Sequence, residues 1–396
     1  MKLAVLFHRL GPYHHARLQA AGRLGDVVAV EFCSVDKTYA WGKVEGAEGF
    51  RRVTLFENSD IDDQPAGAVV RRMRGALDEI RPEVVAIPGW SNRGALAALE
   101  RSVNINIPAI LMSDTWDLRS RPIWLKTNIK GRLVRLFPSA LVAGRRQVEC
   151  LLALGMPRER IFVGYDVVDN LHFWRIAEAA RQEQRVVRSR LGLPERFFLS
   201  VSRFVPEKNL GRLIKAFAKY RNCTGGGSWK MVLLGDGPLR RRLLDLRNAL
   251  RLEDDLMLPG FQQYDDLPIY YGLAGAFILA STWEPWGLVV NEAMAAGLPV
   301  LVSNRCGCAP DLVEEGRNGY TFDPYDVENL ARLMLRMSDG SLDLEAMGQA
   351  SHEIIARWTP ETFAENLWKA AETAMAAPRP QLGLLDKMLL SALIHR

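Results

Sequence analysis

The sequence predicts an α/β protein built from two doubly wound halves of comparable size. Short apolar runs with the length of buried parallel strands alternate with helical segments along the chain. At 396 residues the chain is also longer than one typical domain, so two domains are expected. We place the crossing between the halves at residues 164–170, ahead of a polar helical segment at 171–195.

The first half is predicted to open with a βαβ unit and to continue with alternating strands and helices. Residues 34–64 are polar and are predicted to be irregular. The predicted elements are strand 3–7, helix 13–23, strand 27–32, helix 66–80, strand 84–87, helix 91–101, strand 109–112, strand 140–143, helix 145–154 and strand 161–163.

The second half is predicted to open a new sheet at residues 197–201 and to keep the same alternation. Its helix 288–296 is closed by Gly297, with Pro299 just beyond. The other elements are helix 210–220, strand 230–234, helix 239–250, helix 264–271, strand 276–280, a strand beginning at 300–302, helices 311–315, 326–337, 344–358 and 361–374, and an apolar segment at 382–394.

Composition excludes several classes of protein. The chain has 51 basic and 46 acidic side chains, and a net charge of +5 does not by itself indicate nucleic-acid binding. The five cysteines are odd in number and scattered, which argues against a disulfide framework and for a reducing compartment. No apolar stretch approaches the roughly 20 residues of a membrane span. We therefore expect a cytoplasmic protein.

Two glutamates flank the start of the helix predicted at 288–296. Glu284 lies in the turn after strand 276–280, and Glu292 lies about one turn inside the helix. A helix N terminus at the carboxyl end of a parallel strand favours an anion. A carboxylate in the same turn would be repelled by that anion unless it holds another group. A sugar with neutral hydroxyls beside a diphosphate fits both features. The alternative is that Glu284 caps the helix and Glu292 faces solvent.

A second candidate site lies in the loop after strand 197–201. Arg203 follows the strand, and Lys208 precedes the next helix. A guanidinium that can bind two oxygens, a lysine charge and a helix N terminus together make a diphosphate site. Taken alone, the same loop could be an ordinary surface turn.

Five runs of residues carry a resemblance to a known family: 201–209, 233–238, 258–261, 284–300 and 318–322. With them, residues 197–335 resemble the retaining glycosyltransferase family 4, also called glycosyl transferases group 1. The resemblance implies the GT-B fold, in which two Rossmann-like domains face each other across a cleft. It also implies that residues 361–374 cross back to the first domain, giving domains at 1–168 and 169–360 and terminal helices at 361–396.

The resemblance also implies roles for the candidate residues. Arg203 and Lys208 would hold the nucleotide diphosphate, and these two and Glu284 would form the catalytic set. Glu284 would contact hydroxyls of the donor sugar, and Glu292 would accept from the ribose hydroxyls.

Backbone groups complete the site that the resemblance implies. Gly260 and Phe261 would lie beside the base, and the N–H groups of Gly287 and Leu288 would face phosphate. Cations and N–H dipoles would then stabilise the leaving diphosphate, so neither a metal ion nor another cofactor is expected.

The first half departs from the family pattern. Its first loop contains Gly11 where paired glycines are common, and the usual histidine of a later loop is not evident near Asp114. Gly11, His14 and Asp114 are donor-side candidates, although His14 could equally be satisfied at a helix start. An Asp-x-Asp triplet at 60–62 holds metal in another glycosyltransferase fold, whereas here it suits the N terminus of helix 66–80.

A basic stretch spans residues 118–148 and contains no acid. Apolar side chains lie between its cations, a pattern that suits an anionic membrane surface or an acidic acceptor. The alternative is a solvated helix face with an apolar core side; nucleic acid is disfavoured because no binding module accompanies the stretch. The cations are Arg119, Arg121, Lys126, Lys130, Arg132, Arg135, Arg145 and Arg146.

The sequence therefore predicts a retaining glycosyltransferase. It would move a sugar from a nucleotide-diphospho-sugar to a glycan or lipid-linked acceptor, and the basic stretch would hold it at the inner face of the cell membrane. The alternatives are a nucleotide-sugar epimerase of the same fold, a glycosidase that uses Glu284 and Glu292, and an inactive glycan-binding scaffold.

Overall fold

The chain forms two compact units, Met1–Val167 with Thr359–Arg396, and Val168–Trp358. Each unit contains one parallel β-sheet with connecting helices, as the alternation of strands and helices predicts. The computed structural model describes residues 1–35, 42, 44, 46–116, 124–224 and 228–395.

The first unit contains a seven-stranded parallel sheet. Its elements are β1 (Lys2–Phe7), α1 (Pro12–Gly22), β2 (Asp26–Cys33), β3 (Arg51–Phe56), α2 (Ala66–Ile80), β4 (Val84–Pro88), α3 (Arg93–Asn104), β5 (Ala109–Ser113), α4 (Trp124–Val134), β6 (Ser139–Val142), α5 (Arg145–Ala153) and β7 (Ile161–Val163). The strand order is β3-β2-β1-β4-β5-β6-β7. The order reverses between β1 and β4, as in doubly wound folds.

The second unit contains a six-stranded parallel sheet of the same design. Its elements are α6 (Asn170–Gln182), α7 (Gln184–Leu191), β8 (Phe197–Val201), α8 (Leu210–Thr224), β9 (Lys230–Leu234), α9 (Arg240–Ala249), β10 (Leu256–Gly260), α10 (Leu267–Leu273), β11 (Ala276–Leu279), α11 (Leu288–Ala295), β12 (Val300–Ser303), α12 (Ala309–Leu312), β13 (Gly319–Phe322), α13 (Val327–Ser338) and α14 (Leu344–Ile355). The strand order is β10-β9-β8-β11-β12-β13, with the reversal between β8 and β11.

Two helices after the second unit complete the first unit: α15 (Pro360–Ala376) and α16 (Leu384–Ile394). The indole N–H of Trp368 on α15 donates to the carbonyl of Ala21 on α1 at 3.0 Å. Leu390 and Ile394 of α16 are buried in the same apolar core as the strands of the first sheet. None of the described helices has the length and hydropathy that a transmembrane span requires.

The prediction that residues 34–64 are irregular is wrong for β3, which pairs in parallel with β2. Two of its polar residues, Arg52 and Thr54, face a buried carboxylate. Glu31 of β2 is fully buried, and it accepts from Arg52 Nε at 2.9 Å and Arg52 Nη2 at 3.0 Å. The Thr54 hydroxyl donates to the same carboxylate at 2.6 Å. This edge strand therefore contains polar side chains that pair with Glu31, so it does not appear as an apolar run in the sequence.

The Glu31 cluster should stabilise the edge of the first sheet. We expect Glu31→Gln to lower the free energy of unfolding by about 3 kcal/mol, because it leaves the largely buried Arg52 guanidinium without its counterion. Arg74→Ala is the control: its pair with Glu100 is largely exposed, and its loss should cost less than about 1 kcal/mol. Thermal unfolding of both variants measures the difference, and equal melting temperatures would contradict this role of Glu31.

Candidate functional site

The candidate site of the second unit lies where its sheet reverses order. β8 and β11 are adjacent and parallel, so their carboxyl ends meet at one edge. The loop after β8 carries Arg203 and Lys208, and the loop after β11 carries Glu284. Ligands of open α/β sheets bind at such reversal points.

An ion pair joins these two loops. Lys208 Nζ donates to the Glu284 carboxylate, and both side chains are mostly buried, at 16% and 13% exposure. The Ser281 hydroxyl donates to Glu284 Oε2 at 3.1 Å. The same two loops are joined by the Thr282 N–H, which donates to the Glu207 carbonyl at 2.8 Å. The structure thus brings together two predicted site residues that are far apart in sequence.

Asn209 fixes the loop that carries Lys208. Its backbone has a left-handed conformation, with φ at +57°. Its buried side-chain amide donates to the carbonyl of Ala280 at 3.1 Å and to that of Pro324 at 2.8 Å. The sequence alone had indicated no role for Asn209. An asparagine directly before a helix is a common turn residue that tolerates positive φ, and this signal could have identified it.

The N terminus of α11 lies against the Glu284 turn. Gly287 precedes the helix with φ at +111°, and a Cβ there would lie 3.0 Å from Leu279 Cδ2 and 3.4 Å from Glu284 Cγ. A larger residue would therefore be strained by its backbone and crowded by its neighbours. Leu288 begins the helix, and the first N–H groups of any helix lack partners inside it. The N–H groups of Gly287 and Leu288 are thus placed beside Glu284.

Glu292 lies inside α11 and is fully buried. The Tyr271 hydroxyl donates to its Oε2 atom at 2.7 Å. Burial raises the pKa of nearby Tyr264, and the carboxylates of Asp169 and Glu292 raise it further. The ring of Tyr264 stacks on His172 at 4.5 Å. Glu292 therefore lies in an aromatic environment, not at the solvent-facing position that was the alternative for it, and its contact with ribose stays a prediction.

Arg203 is exposed, on a loop that a tight glycine turn supports. The N–H of Phe204 donates to the carbonyl of Asp236 at 2.8 Å. A Cβ on Gly235 would lie 1.9 Å from the carbonyl oxygen of Ser202, so only glycine allows this approach. The turn after β9 thus holds the base of the Arg203 loop.

The same glycine turn also fixes the position of Gly260 and Phe261. The N–H of Gly235 donates to the carbonyl of Gly260 at 2.9 Å, which connects the end of β10 to the glycine turn. Phe261 is 39% exposed, and Gly260 has φ at +104°. Both residues therefore lie at the same sheet edge as Arg203, and their proximity to a base stays a prediction.

Gly11, His14 and Asp114 belong to the first unit. Gly11 precedes α1, and its N–H donates to His14 Nδ1 at 3.1 Å. The His14 ring packs on Phe7 at 4.4 Å between centroids. Burial, with a smaller effect of Arg17, lowers the pKa of His14 to about 3. His14 thus serves as a neutral acceptor at a helix start, the alternative that the sequence left open, and a role toward a donor stays a prediction.

Asp114 follows β5, and its carbonyl accepts from the Gln147 side chain at 2.7 Å. The acidic triplet at 60–62 caps a short turn rather than α2. Asp60 Oδ1 accepts from the N–H of Asp62 at 3.0 Å, at the start of a single 3₁₀ turn, Ile61–Asp63.

The basic stretch is only partly described. Residues 117–123 and the side chains of residues 124–126 lie outside the described part, which removes Arg119, Arg121 and Lys126 from view. Among the others, Arg132 Nη1 donates to Asp386 Oδ1 of α16 at 3.0 Å. The Arg146 guanidinium lies 4.3 Å from the ring centroid of Trp116. These two cations therefore have partners within the first unit.

The two Rossmann-like sheets give the chain the GT-B fold of glycosyltransferases. The Anabaena protein Alr3699/HepE, solved in complex with UDP, shares this fold with a TM-score of 0.71 and 18% identity, over 94% of this chain and 100% of that one. At this identity the likeness shows the fold alone.

Residues 182–353 match the family model described as Glycosyl transferases group 1. Among curated proteins, the sulfoquinovosyl transferase SQD2 of Arabidopsis thaliana is 25% identical over 77% of this chain. A GDP-mannose-dependent alpha-(1-6)-phosphatidylinositol monomannoside mannosyltransferase of Mycobacterium tuberculosis is 31% identical over 48% of it. The matches cover 58% and 50% of the lengths of these relatives, which are both named glycosyltransferases.

His14 should make the protein less stable in acid. Its folded pKa of about 3 lies below the ordinary value of 6.5, so between these values the unfolded chain binds a proton that the folded chain does not. Stability is therefore lost as pH falls below 6.5, by up to about 1.4 kcal/mol per unit. His14→Gln keeps an acceptor for the Gly11 N–H but does not titrate. Its melting temperature should therefore depend less on pH between 4.5 and 7 than that of the wild type. Parallel profiles for the two proteins would contradict this.

Proposed function

We propose that the protein is a retaining glycosyltransferase that uses a nucleotide-diphospho-sugar donor. The observation that carries the proposal is the ion pair of Lys208 and Glu284 at the reversal point of the second sheet. The pair lies between two loops that lead into helix N termini, those of α8 and α11. One cation, one carboxylate and two helix N termini at one edge suit a ligand with both an anionic and a hydroxyl-rich part.

The anionic part of that ligand is the diphosphate. Cleavage of the anomeric C–O bond leaves the bonding electrons, and hence negative charge, on the diphosphate. Lys208, Arg203 and the N–H groups at the start of α11 are preorganised for that charge. Since these groups can stabilise the leaving group, we propose that the transfer needs no metal ion. The Glycosyl transferases group 1 match over residues 182–353 supports this assignment.

The hydroxyl-rich part is the donor sugar, which we assign to Glu284. Without a donor, Glu284 neutralises Lys208. A bound diphosphate would compete for the lysine, and the carboxylate would then be available to sugar hydroxyls and to the positive charge that develops on the ring. We further propose that the acceptor attacks on the face from which the diphosphate leaves, so that configuration is retained.

The acceptor is proposed to be a glycan or a lipid-linked sugar at the inner face of a membrane. The relatives named above include a phosphatidylinositol mannoside mannosyltransferase. The first turns of α16 expose three large apolar side chains, Leu384, Leu385 and Met388, at 77%, 62% and 63%. This apolar face adjoins the basic stretch through the Arg132–Asp386 pair. An exposed apolar face beside cations is typical of interfacial helices.

The ion pair yields the test of the proposed activity. Wild-type protein is screened with UDP, GDP, ADP and their sugars, and a bound ligand should raise the melting temperature. With the donor so identified, Glu284→Gln should bind free nucleoside diphosphate as tightly as the wild type or up to about tenfold more tightly, since Lys208 is no longer neutralised. Its transfer rate should fall by about 100-fold.

Lys208→Met is the matched variant, because it removes the other half of the same pair. It should weaken nucleoside diphosphate binding by about tenfold. Calorimetric titration and product analysis by NMR provide the measurements. If both variants weaken nucleotide binding equally, the pair is structural and the assignment is wrong. Conversion of the donor sugar to its epimer without an acceptor would instead identify an epimerase.

Glu292 can be tested against its own hydrogen-bond partner. If its carboxylate accepts from ribose, Glu292→Gln should weaken both nucleoside diphosphate and donor, by about 1.5–3 kcal/mol per lost charge-assisted bond. Tyr271→Phe removes only the hydroxyl that donates to Glu292 in the free protein. It should leave nucleotide affinity within about threefold of the wild type, a difference of less than 1 kcal/mol. Equal losses in calorimetry would mean that Glu292 acts by maintaining the aromatic core.

A further inference from the structure

Three potential metal ligands meet at one edge of the first sheet. His8 follows β1, Cys33 ends β2, and Asp60 follows β3. Because these strands are parallel neighbours, their carboxyl ends bring the three side chains together. Cys33 and Asp60 are buried at 0% and 6% exposure, and His8 is partly buried. None of the three has a role in the proposed transfer.

The distances suit a single tetrahedral ion. One ligand atom from each residue lies within 4.8 Å of the other two, and Cys33 Sγ lies 3.6 Å from His8 Nε2. With Zn–S near 2.3 Å and Zn–N near 2.0–2.1 Å, sulfur and nitrogen on one tetrahedral zinc are roughly 3.5 Å apart. Asp60 uses Oδ1 to accept from Asp62, and a carboxylate can accept or ligate at both oxygens.

The ligand types select the metal. A thiolate and an imidazole favour zinc over magnesium or calcium, which prefer oxygen ligands. The charge also balances, because a thiolate and a carboxylate together neutralise a divalent ion in a largely buried position. We propose that His8, Cys33 and Asp60 bind one Zn²⁺ ion, with solvent at the fourth position as in other zinc sites with three protein ligands.

The ion would fix the loop between β1 and α1. The carbonyl of His8 already accepts from the N–H groups of Phe32 and Cys33, both at 3.1 Å. A zinc ion would add side-chain bonds from the same loop to β2 and to the turn after β3. None of these bonds involves a residue of the proposed transfer, so we assign to the ion the role of holding this loop and none in bond cleavage at the donor.

The test uses untagged full-length protein purified without chelator. Elemental analysis should find about one zinc per chain. After removal of zinc by a chelator, the melting temperature should fall, and added Zn²⁺ should restore it. Titration of the stripped protein with Co²⁺ should produce thiolate-to-cobalt charge-transfer absorption, which should stop increasing at about one equivalent of Co²⁺.

Variants locate the ion. Cys33→Ser should abolish the charge-transfer absorption, and Asp60→Asn should keep it while weakening Co²⁺ binding by at least about tenfold, a loss seen even for outer-sphere partners. Cys150→Ser, at a cysteine outside the cluster, is the matched control and should behave as the wild type. The Asp60 variant and the stripped wild type keep the test valid should Cys33→Ser fail to fold.

Two results would overturn the proposal. One is wild-type protein that is free of zinc and gives no charge-transfer absorption with Co²⁺. The other is absorption that survives in folded Cys33→Ser, which would place the ion at another cysteine. Neither result depends on sugar transfer, so failure here is distinguishable from failure of the proposed activity.

Discussion

The reversal of strand order between β8 and β11 is the constraint on which the second unit depends. It separates the loops that follow these two neighbouring strands at one sheet edge, because the helices after the two strands must leave in different directions. A crevice at that edge follows from the topology alone. The hydrogen bond from Thr282 to Glu207 then sets the distance between the loops. With this distance fixed, the short side chain of Glu284 can contact Lys208 on the neighbouring loop.

Backbone conformations that few residues adopt maintain this arrangement. Asn209, Gly235 and Gly287 all have positive φ, and each lies in a loop of the candidate site. Asn209 turns the chain into α8, whereas Gly235 allows contact with the carbonyl of Ser202. At Asn209, a non-glycine residue, this conformation costs free energy that the surrounding contacts must offset. At Gly235 and Gly287 it has no steric cost. The loops that carry the charged side chains of Lys208, Arg203 and Glu284 are therefore shaped by uncharged residues.

The sequence predicted most of the strands, because parallel strands buried on both faces read as continuous apolar runs, but it predicted none at β10 or β13. It failed for β3, where Arg52 and Thr54 are polar and their partner Glu31 lies on another strand. It identified Lys208 and Glu284 separately, since each lies near a helix start, but it could not show that they pair. That contact depends on strand order, which no local pattern encodes.

The surroundings of buried polar side chains also could not be predicted from the sequence. Glu292 was placed correctly on its helix, yet its hydrogen bond with Tyr271 joins two helices and could not be predicted. The same holds for Asp60, which was predicted to suit the start of α2 but caps the turn Ile61–Asp63, and whose proximity to His8 and Cys33 could not be predicted. Long-range side-chain contacts determine these environments, whereas periodicity and composition report only on neighbours along the chain.

The discontinuous first unit has a consequence for biosynthesis. Residues 1–167 are synthesised before the second unit, whereas α15 and α16 follow only after the whole second unit has been made. Leu367, Ala370 and Leu390 are fully buried, so the nascent first unit lacks part of its core until α15 and α16 have been made. Domains usually fold in the order of synthesis, and exposed apolar surface promotes aggregation. In this chain the second unit can therefore finish folding before the first.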